Sequence, residues 1–89
     1  MKLAEETETE AIARLKRIEG QVGGLIRMIE SGRECRDIVR QISAASHALD
    51  RTAFKILAAG LRACVAEEEQ GGPPAYTQDE LEKLFLQLA

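Results

Sequence analysis

Aromatic residues, prolines and histidine are scarce in this chain of 89 residues, which has no tryptophan, one tyrosine, two phenylalanines, two prolines and one histidine. Aromatic packing can therefore contribute little to a core. The apolar residues are mainly alanine, leucine, isoleucine and valine, a composition that favours helices over sheets and indicates an all-α fold. A chain this short forms one domain, residues 1–89, with a thin core, so we expect it to associate with further copies.

The sequence also lacks a long apolar run. No stretch of about 18 apolar residues is present, so we expect no membrane partner. The first ten residues, MKLAEETETE, lack the apolar region of a signal peptide, which predicts a cytoplasmic protein. In a reducing cytosol, the two cysteines, Cys35 and Cys64, are more often reactive or metal-binding than joined in a structural disulfide.

Charge is unevenly distributed, although the net charge is only −3. Between Arg14 and Arg62 the chain has ten lysines and arginines against five acidic residues, whereas both ends are acidic. This asymmetry indicates a basic surface with acidic ends. A basic surface of this kind would suit a nucleic-acid partner. Ordinary solvated charges on helix surfaces are the alternative interpretation.

Hydrophobic periodicity predicts three helices and one linker. Thr7 and Glu10 have the spacing of a capping box, as do Thr77 and Glu80, which places the starts of the first and third helices. The first helix should stop at Ser31-Gly32. The predicted helices cover about residues 7–30, 34–67 and 77–88, and the linker covers residues 68–76. Glycines inside the first helix suggest a close approach of another helix there, namely Gly20, Gly23 and Gly24.

Both cysteines belong to the apolar seam of the predicted second helix. They are 29 residues apart, which leaves Cys35 and Cys64 only about 20° apart around the axis but about 43 Å apart along it. We therefore expect both thiols to lie on the buried seam and never to meet within one straight helix. If two copies of the helix pack antiparallel, Cys35 of one chain comes level with Cys64 of the other.

The surroundings of the two cysteines differ. Cys35 lies in the first turn of the helix between Arg33 and Arg36, where the helix dipole and the arginines favour a thiolate. Cys64 precedes three glutamates, whose negative charges disfavour a thiolate at Cys64. An attacking thiol and a resolving thiol are thus a plausible redox pair, although two inert buried cysteines would also fit the pattern.

A closed zinc site is not expected, because zinc takes four ligands and His47 lies about 120° away from the seam. Two thiolates alone could bind the soft ion Cu(I). No general base accompanies either cysteine, so we expect no enzyme and no cofactor.

The segment RLKRIEGQVGGLIRMIESGRECRDIVRQISA, residues 14–44, strongly resembles the CsoR/RcnR family of bacterial transcriptional repressors. The resemblance continues through ALDRTAFKILAAGLRACV, residues 48–65. It implies a three-helix protomer, an antiparallel dimer with a four-helix core, and a dimer of dimers, hence a homotetramer. It also implies that operator DNA is bound at rest and released when an inducer occupies the cysteine site.

The branch of the family follows from the residues near the cysteines. In copper-sensing members, Cu(I) is held by a cysteine and, on the neighbouring chain, by a histidine and a cysteine four residues apart. Cys35 and Cys64 match the two cysteines, but Gly60 stands at the histidine position, and Glu34 stands where a tyrosine is common. A cysteine pair without histidine is similar to the persulfide-sensing, CstR-like branch, whose thiols react with sulfane sulfur and become bridged across the dimer.

The sequence therefore predicts a DNA-binding repressor that senses persulfide or polysulfide through an interprotomer pair of Cys35 and Cys64. A Cu(I)-sensing repressor that uses the same two cysteines as metal ligands is the first alternative, and a non-regulatory helical adaptor is the second. For DNA binding, the resemblance points to Arg14 and Arg51. Lys16 and Arg17 extend the basic patch, and residues of this type supply phosphate contacts.

Overall fold

The computed structural model describes residues 3–74 and 76–88, and over these residues the chain forms three helices and no strand. The predicted all-α, three-helix protomer is therefore confirmed. None of the helices has an apolar stretch long enough to cross a bilayer in the part of the chain described. The helices are α1 over Glu5–Glu30, α2 over Cys35–Glu69 and α3 over Gln78–Leu88.

The start of α1 differs from the prediction. Its N-cap is Ala4, and no side chain caps the helix, so the capping box expected from Thr7 and Glu10 is wrong. Negative charge near the positive end of the helix dipole is stabilising, and this helix begins with acidic side chains, which lets it start before Thr7. These side chains are Glu5, Glu6 and Glu8.

The ends of α1 and α2 are fixed by glycine. Gly32 has a φ of +74° and Gly71 a φ of +82°, a left-handed conformation that glycine adopts at little cost. The N–H of Arg33 donates to the carbonyl of Met28 at 3.0 Å, which closes the last turn of α1. The predicted stop at Ser31-Gly32 is therefore confirmed.

The third helix begins after Thr77. Its Oγ1 accepts a hydrogen bond from the backbone N–H of Glu80 at 3.1 Å, so this predicted capping contact is confirmed. Phe85 of α3 packs edge-to-face on Phe54 of α2, with ring centroids 5.1 Å apart. Among the described residues, α1 and α3 each pack on α2 and not on each other, which makes α2 the central element.

The three helices form a single layer, with overall extents of 58 × 25 × 12 Å. Helical domains normally bury an apolar face against a second layer, yet here large apolar side chains stay exposed, including Ile29 at 60% and Ile42 at 50%. The core is thin, as expected for a short chain. The buried apolar residues among those described are Ala11, Ile18, Ala45, Cys64 and Leu81.

The glycines inside α1 do not mark a close helix approach within this chain, contrary to the prediction. A Cβ atom at Gly20 would meet nothing within 4 Å. At Gly23 and Gly24 the nearest neighbour is the end of the Arg27 side chain, at 3.6 and 3.9 Å. Arg27 belongs to α1 itself, so among the described residues no other helix packs closely on the face that these glycines share.

Candidate functional site

Cys35 is the first residue of α2, and its thiol is exposed. The expectation that it lies on a buried seam is wrong for the single chain, because in the part of the chain described Cys35 is exposed, as are its neighbours Glu34 and Arg36. Of the flanking arginines, Arg33 places its Nη2 atom 3.5 Å from Oδ2 of Asp37. An exposed thiol at a helix start is open to reagents from solvent.

Cys64 has the opposite environment, with only 1% of its surface exposed. Its thiol donates to the carbonyl oxygen of Tyr76 at 3.1 Å, and a carboxylate oxygen of Glu68 lies 3.8 Å from the sulfur. Burial raises the pKa of the Cys64 thiol above its ordinary value, and the negative charge of Glu68 raises it further. The neutral thiol is therefore the favoured form, as expected for the less reactive member of a pair.

The two thiols of one chain lie far apart. α2 runs without interruption from Cys35 to Glu69, so the 29 residues between the cysteines correspond to about 43 Å along the helix axis. A disulfide requires Cα atoms no more than about 7 Å apart. Any bond or shared ligand between Cys35 and Cys64 must therefore join two chains.

The described residues of one chain bring no cluster of metal-ligating side chains together. Within residues 3–74 and 76–88, no three His, Cys, Asp or Glu side chains converge to hold an ion. His47 is exposed, and Gly60 is buried in α2 without a side chain to offer. The donors that remain are the two thiolates, which suit a soft ion such as Cu(I) and do not complete a zinc site.

Three of the four predicted DNA-binding residues surround one cleft between α1 and α2. Arg14 and Arg17 of α1 and Arg51 of α2 line this cleft, which has a volume of about 170 Å³ and is called here the basic cleft. Lys16 is exposed and lies about 200° around the helix from Arg14, so it does not share the cleft. The fold thus brings together cations that are 37 residues apart in sequence, as Arg14 and Arg51 are.

Two residues beside the basic cleft, Glu10 and Lys55, were not predicted as part of the site. The Oε1 atom of Glu10 lies 3.2 Å from Nη2 of Arg14 and 3.6 Å from Nζ of Lys55. The first pair is spaced i, i+4 on one helix, a recognisable sequence signal for an ion pair. Lys55 follows Arg51 at the same spacing on α2, which would have extended the basic surface.

Comparison with known proteins gives one family. The profile of a family described as metal-sensitive transcriptional repressors matches residues 7–87. The copper-sensing transcriptional repressor RicR of Mycobacterium tuberculosis is 46% identical over 63 residues, which cover 70% of this chain and 66% of that protein. This chain therefore spans about two thirds of the length of that relative.

Two further relatives carry the name copper-sensing transcriptional repressor CsoR. That of Bacillus subtilis is 42% identical over 72 residues, covering 81% of this chain and 71% of that protein. That of Mycobacterium ulcerans is 35% identical over 71 residues, covering 80% of this chain and 61% of that protein. The residues matched by the family, 7–87, include most of the helical structure described here.

Proposed function

The chain belongs to the family of metal-sensitive transcriptional repressors, and from this premise we propose that it represses transcription by binding operator DNA and releases that DNA when persulfide or polysulfide bridges Cys35 of one chain to Cys64 of another. Members of this family are repressors and not enzymes. We place the protein in the cytoplasm, where the thiols are kept reduced at rest.

The observation that carries the proposal is the position of the two cysteines at opposite ends of one uninterrupted helix, Cys35–Glu69. Two antiparallel copies of α2 would place two equivalent Cys35–Cys64 sites in a dimer. The uncovered apolar side chains of α1 and α2 supply the kind of surface that such a dimer buries. A dimer of dimers is the assembly that the family resemblance implies.

The chemistry follows from the unequal thiols. The Cys35 thiolate attacks the sulfane sulfur of a persulfide, RS–SH, to form Cys35–S–SH, and RS⁻ leaves. The Cys64 thiolate of the neighbouring chain then attacks the Sγ atom of Cys35, which breaks the bond from Sγ to the outer sulfur, forms the interchain disulfide and releases HS⁻. The two cysteine sulfurs are oxidised by two electrons, and the sulfane sulfur is reduced to sulfide.

The DNA-binding side of the proposal rests on the basic cleft. Arg14, Arg17 and Arg51 would contact phosphates on both sides of the α1–α2 junction, with exposed Lys16 at the margin. A bridge across the dimer fixes the N-terminal end of α2 in one chain to the C-terminal part of α2 in the other. A resulting shift of α2 against α1 would separate Arg51 from Arg14, and this is the coupling between sulfur chemistry and DNA release.

Parallel exposure to sodium tetrasulfide and to Cu(I) tests the proposal. The DNA is a labelled duplex selected by the reduced protein from a random-sequence pool, and the readouts are duplex binding and the intact mass under non-reducing conditions. We expect tetrasulfide to release the duplex and yield a covalent dimer, whereas Cys35→Ser keeps its DNA bound. A Cys35→Ser variant that responds like the wild type would contradict the mechanism.

A second candidate, Cu(I) sensing, is favoured by the names of the relatives, which are copper-sensing repressors. Cys35 and Cys64 of two chains would hold the ion as thiolates. Gly60 weighs against it, because that position offers no imidazole to complete the donor set of the copper sensors. Stoichiometric Cu(I) binding that survives a competing chelator and releases the duplex would establish this candidate in place of the first.

A further inference from the structure

A carboxylate joins the two helices beside the basic cleft. Glu10 of α1 accepts a hydrogen bond from Nε of Arg14 at 3.3 Å and lies 3.6 Å from Nζ of Lys55 on α2. The Lys55 and Glu10 side chains are each 54% exposed. One surface carboxylate therefore faces two cations, one of which is a proposed DNA contact.

Lys55 continues the basic surface beyond the basic cleft. A second cleft of about 260 Å³ is lined by Glu10, Arg14, Lys55 and Arg62. Arg14 and Thr52 line both clefts, so the cations of the two clefts form one continuous row along the α1–α2 junction. A duplex that contacts Arg14 and Arg51 along this row would also meet Lys55.

The ion pairs of Glu10 oppose phosphate binding. The hydrogen bond from Arg14, followed by the charge of Lys55, lowers the pKa of the Glu10 carboxyl below its ordinary value. The carboxylate is therefore ionised at neutral pH, and it occupies the same donors that a phosphate oxygen would use. Since exposed ion pairs are weak and phosphate is a strong partner for arginine, the exchange is feasible.

We propose that Lys55 is a further phosphate-contacting residue of this repressor and that Glu10 is the internal competitor which phosphate displaces from Arg14 and Lys55. The inference rests on the proposed binding of DNA. Glu10 thereby lowers the affinity for DNA of any sequence. It also keeps Arg14 and Lys55 paired while the protein is not bound to DNA. It acts through Arg14 and Lys55 and touches no base.

The test measures binding of a fluorescein-labelled 30-base-pair duplex of random sequence by anisotropy, across a series of KCl concentrations. We expect Lys55→Gln to reduce the slope of log K against log[KCl] by about 1, the value for one lost phosphate contact. Glu10→Gln keeps the shape of the side chain without its charge. It should tighten binding about two- to fivefold, the range that a surface ion pair allows.

Matched controls separate this role from general charge effects. Glu8 lies on the same helix about 200° away from Glu10, so Glu8→Gln should raise the affinity for DNA clearly less than Glu10→Gln does. Lys83 of α3 is exposed, and Lys83→Gln should leave the salt slope unchanged. In an Arg14→Gln, Lys55→Gln background, Glu10→Gln should gain nothing. Circular dichroism verifies that each variant is folded.

Three results would overturn the inference while DNA binding stands. The first is an unchanged salt slope for Lys55→Gln. The second is an equal gain in affinity for Glu10→Gln and Glu8→Gln. The third is a Glu10→Gln gain that persists without Arg14 and Lys55. A wild-type protein that binds no duplex even at low salt would instead contradict the proposed function, and the inference with it.

Discussion

Cys35 and Cys64 have the same side chain in opposite environments. Cys35 is exposed at the start of α2, whereas Cys64 is buried and donates to the carbonyl of Tyr76. Burial, followed by the negative charge of Glu68, raises the pKa of the Cys64 thiol. Because only the thiolate is a nucleophile, this lowers the reactivity of Cys64 at neutral pH. We therefore expect the two thiols to react in order, with Cys35 first.

Alkylation by iodoacetamide tests that order. We expect Cys35 to react faster at pH 7. The rate at Cys64 should keep rising above about pH 10, where a thiol with the ordinary pKa of about 8.5 is almost fully ionised and its rate levels off. Glu68→Gln removes a neighbouring negative charge, so it should speed alkylation of Cys64 at pH 8 without abolishing the effect of burial. Glu69→Gln is the matched control. Equal rates for the two wild-type cysteines at pH 7 would refute the assignment.

Among the helices, α1 has a face of glycines on which, within the part of the chain described, no other helix packs closely. Gly20 is exposed, and a Cβ atom there would meet nothing within 4 Å. Glycine inside a helix costs about 1 kcal/mol relative to alanine. Unless a second copy packs here, the position has no evident structural reason to remain glycine.

Gly20→Ala should therefore raise the free energy of unfolding by about 0.5–1 kcal/mol, measured by urea titration at fixed protein concentration. Gly32→Ala is the opposite control, since φ at Gly32 is +74° and alanine there should destabilise the protein. If Gly20→Ala destabilises the protein instead, the glycine face of α1 lies against another chain, and the close approach predicted from the sequence occurs between copies.

Helices could be predicted from the sequence because periodicity and glycine stops are local signals. The end of α1 just before Gly32 and the cap at Thr77 could both be predicted in this way. The start of α1 could not be predicted from the capping pattern at Thr7. Acidic residues before Thr7 extend the helix, and a capping pattern does not show whether a helix begins earlier. The exposure of Cys35 was also missed, since a seam shows which residues share a face and not how far the neighbouring helix reaches.

The candidate site was predicted in part. The cysteine separation required only the helix and its rise per residue. The meeting of Arg14, Arg17 and Arg51 at one cleft depends on the register between α1 and α2, which no local pattern specifies. The contact of Glu10 with Lys55 across two helices depends on the same register.

At the scale of the whole molecule, the fold is a single layer of helices 12 Å thick. Such a layer buries few side chains and leaves apolar residues of α1 and α2 uncovered. We propose that a second, antiparallel copy covers them and carries the other half of each thiol pair. A mixture of two different variants tests this arrangement.

The experiment mixes the Cys35→Ser and Cys64→Ser variants, one of which carries a mass tag. The mixture is partly unfolded and then refolded so that the two variants exchange chains. Each variant alone lacks one member of the pair, whereas the mixed dimer keeps one complete Cys35–Cys64 site. The mixture is treated with sodium tetrasulfide, and its intact mass is measured under non-reducing conditions. We expect a covalent dimer of mixed mass only. A wild-type chain that becomes bridged within itself, or a mixture that forms no mixed covalent dimer, would contradict the antiparallel arrangement.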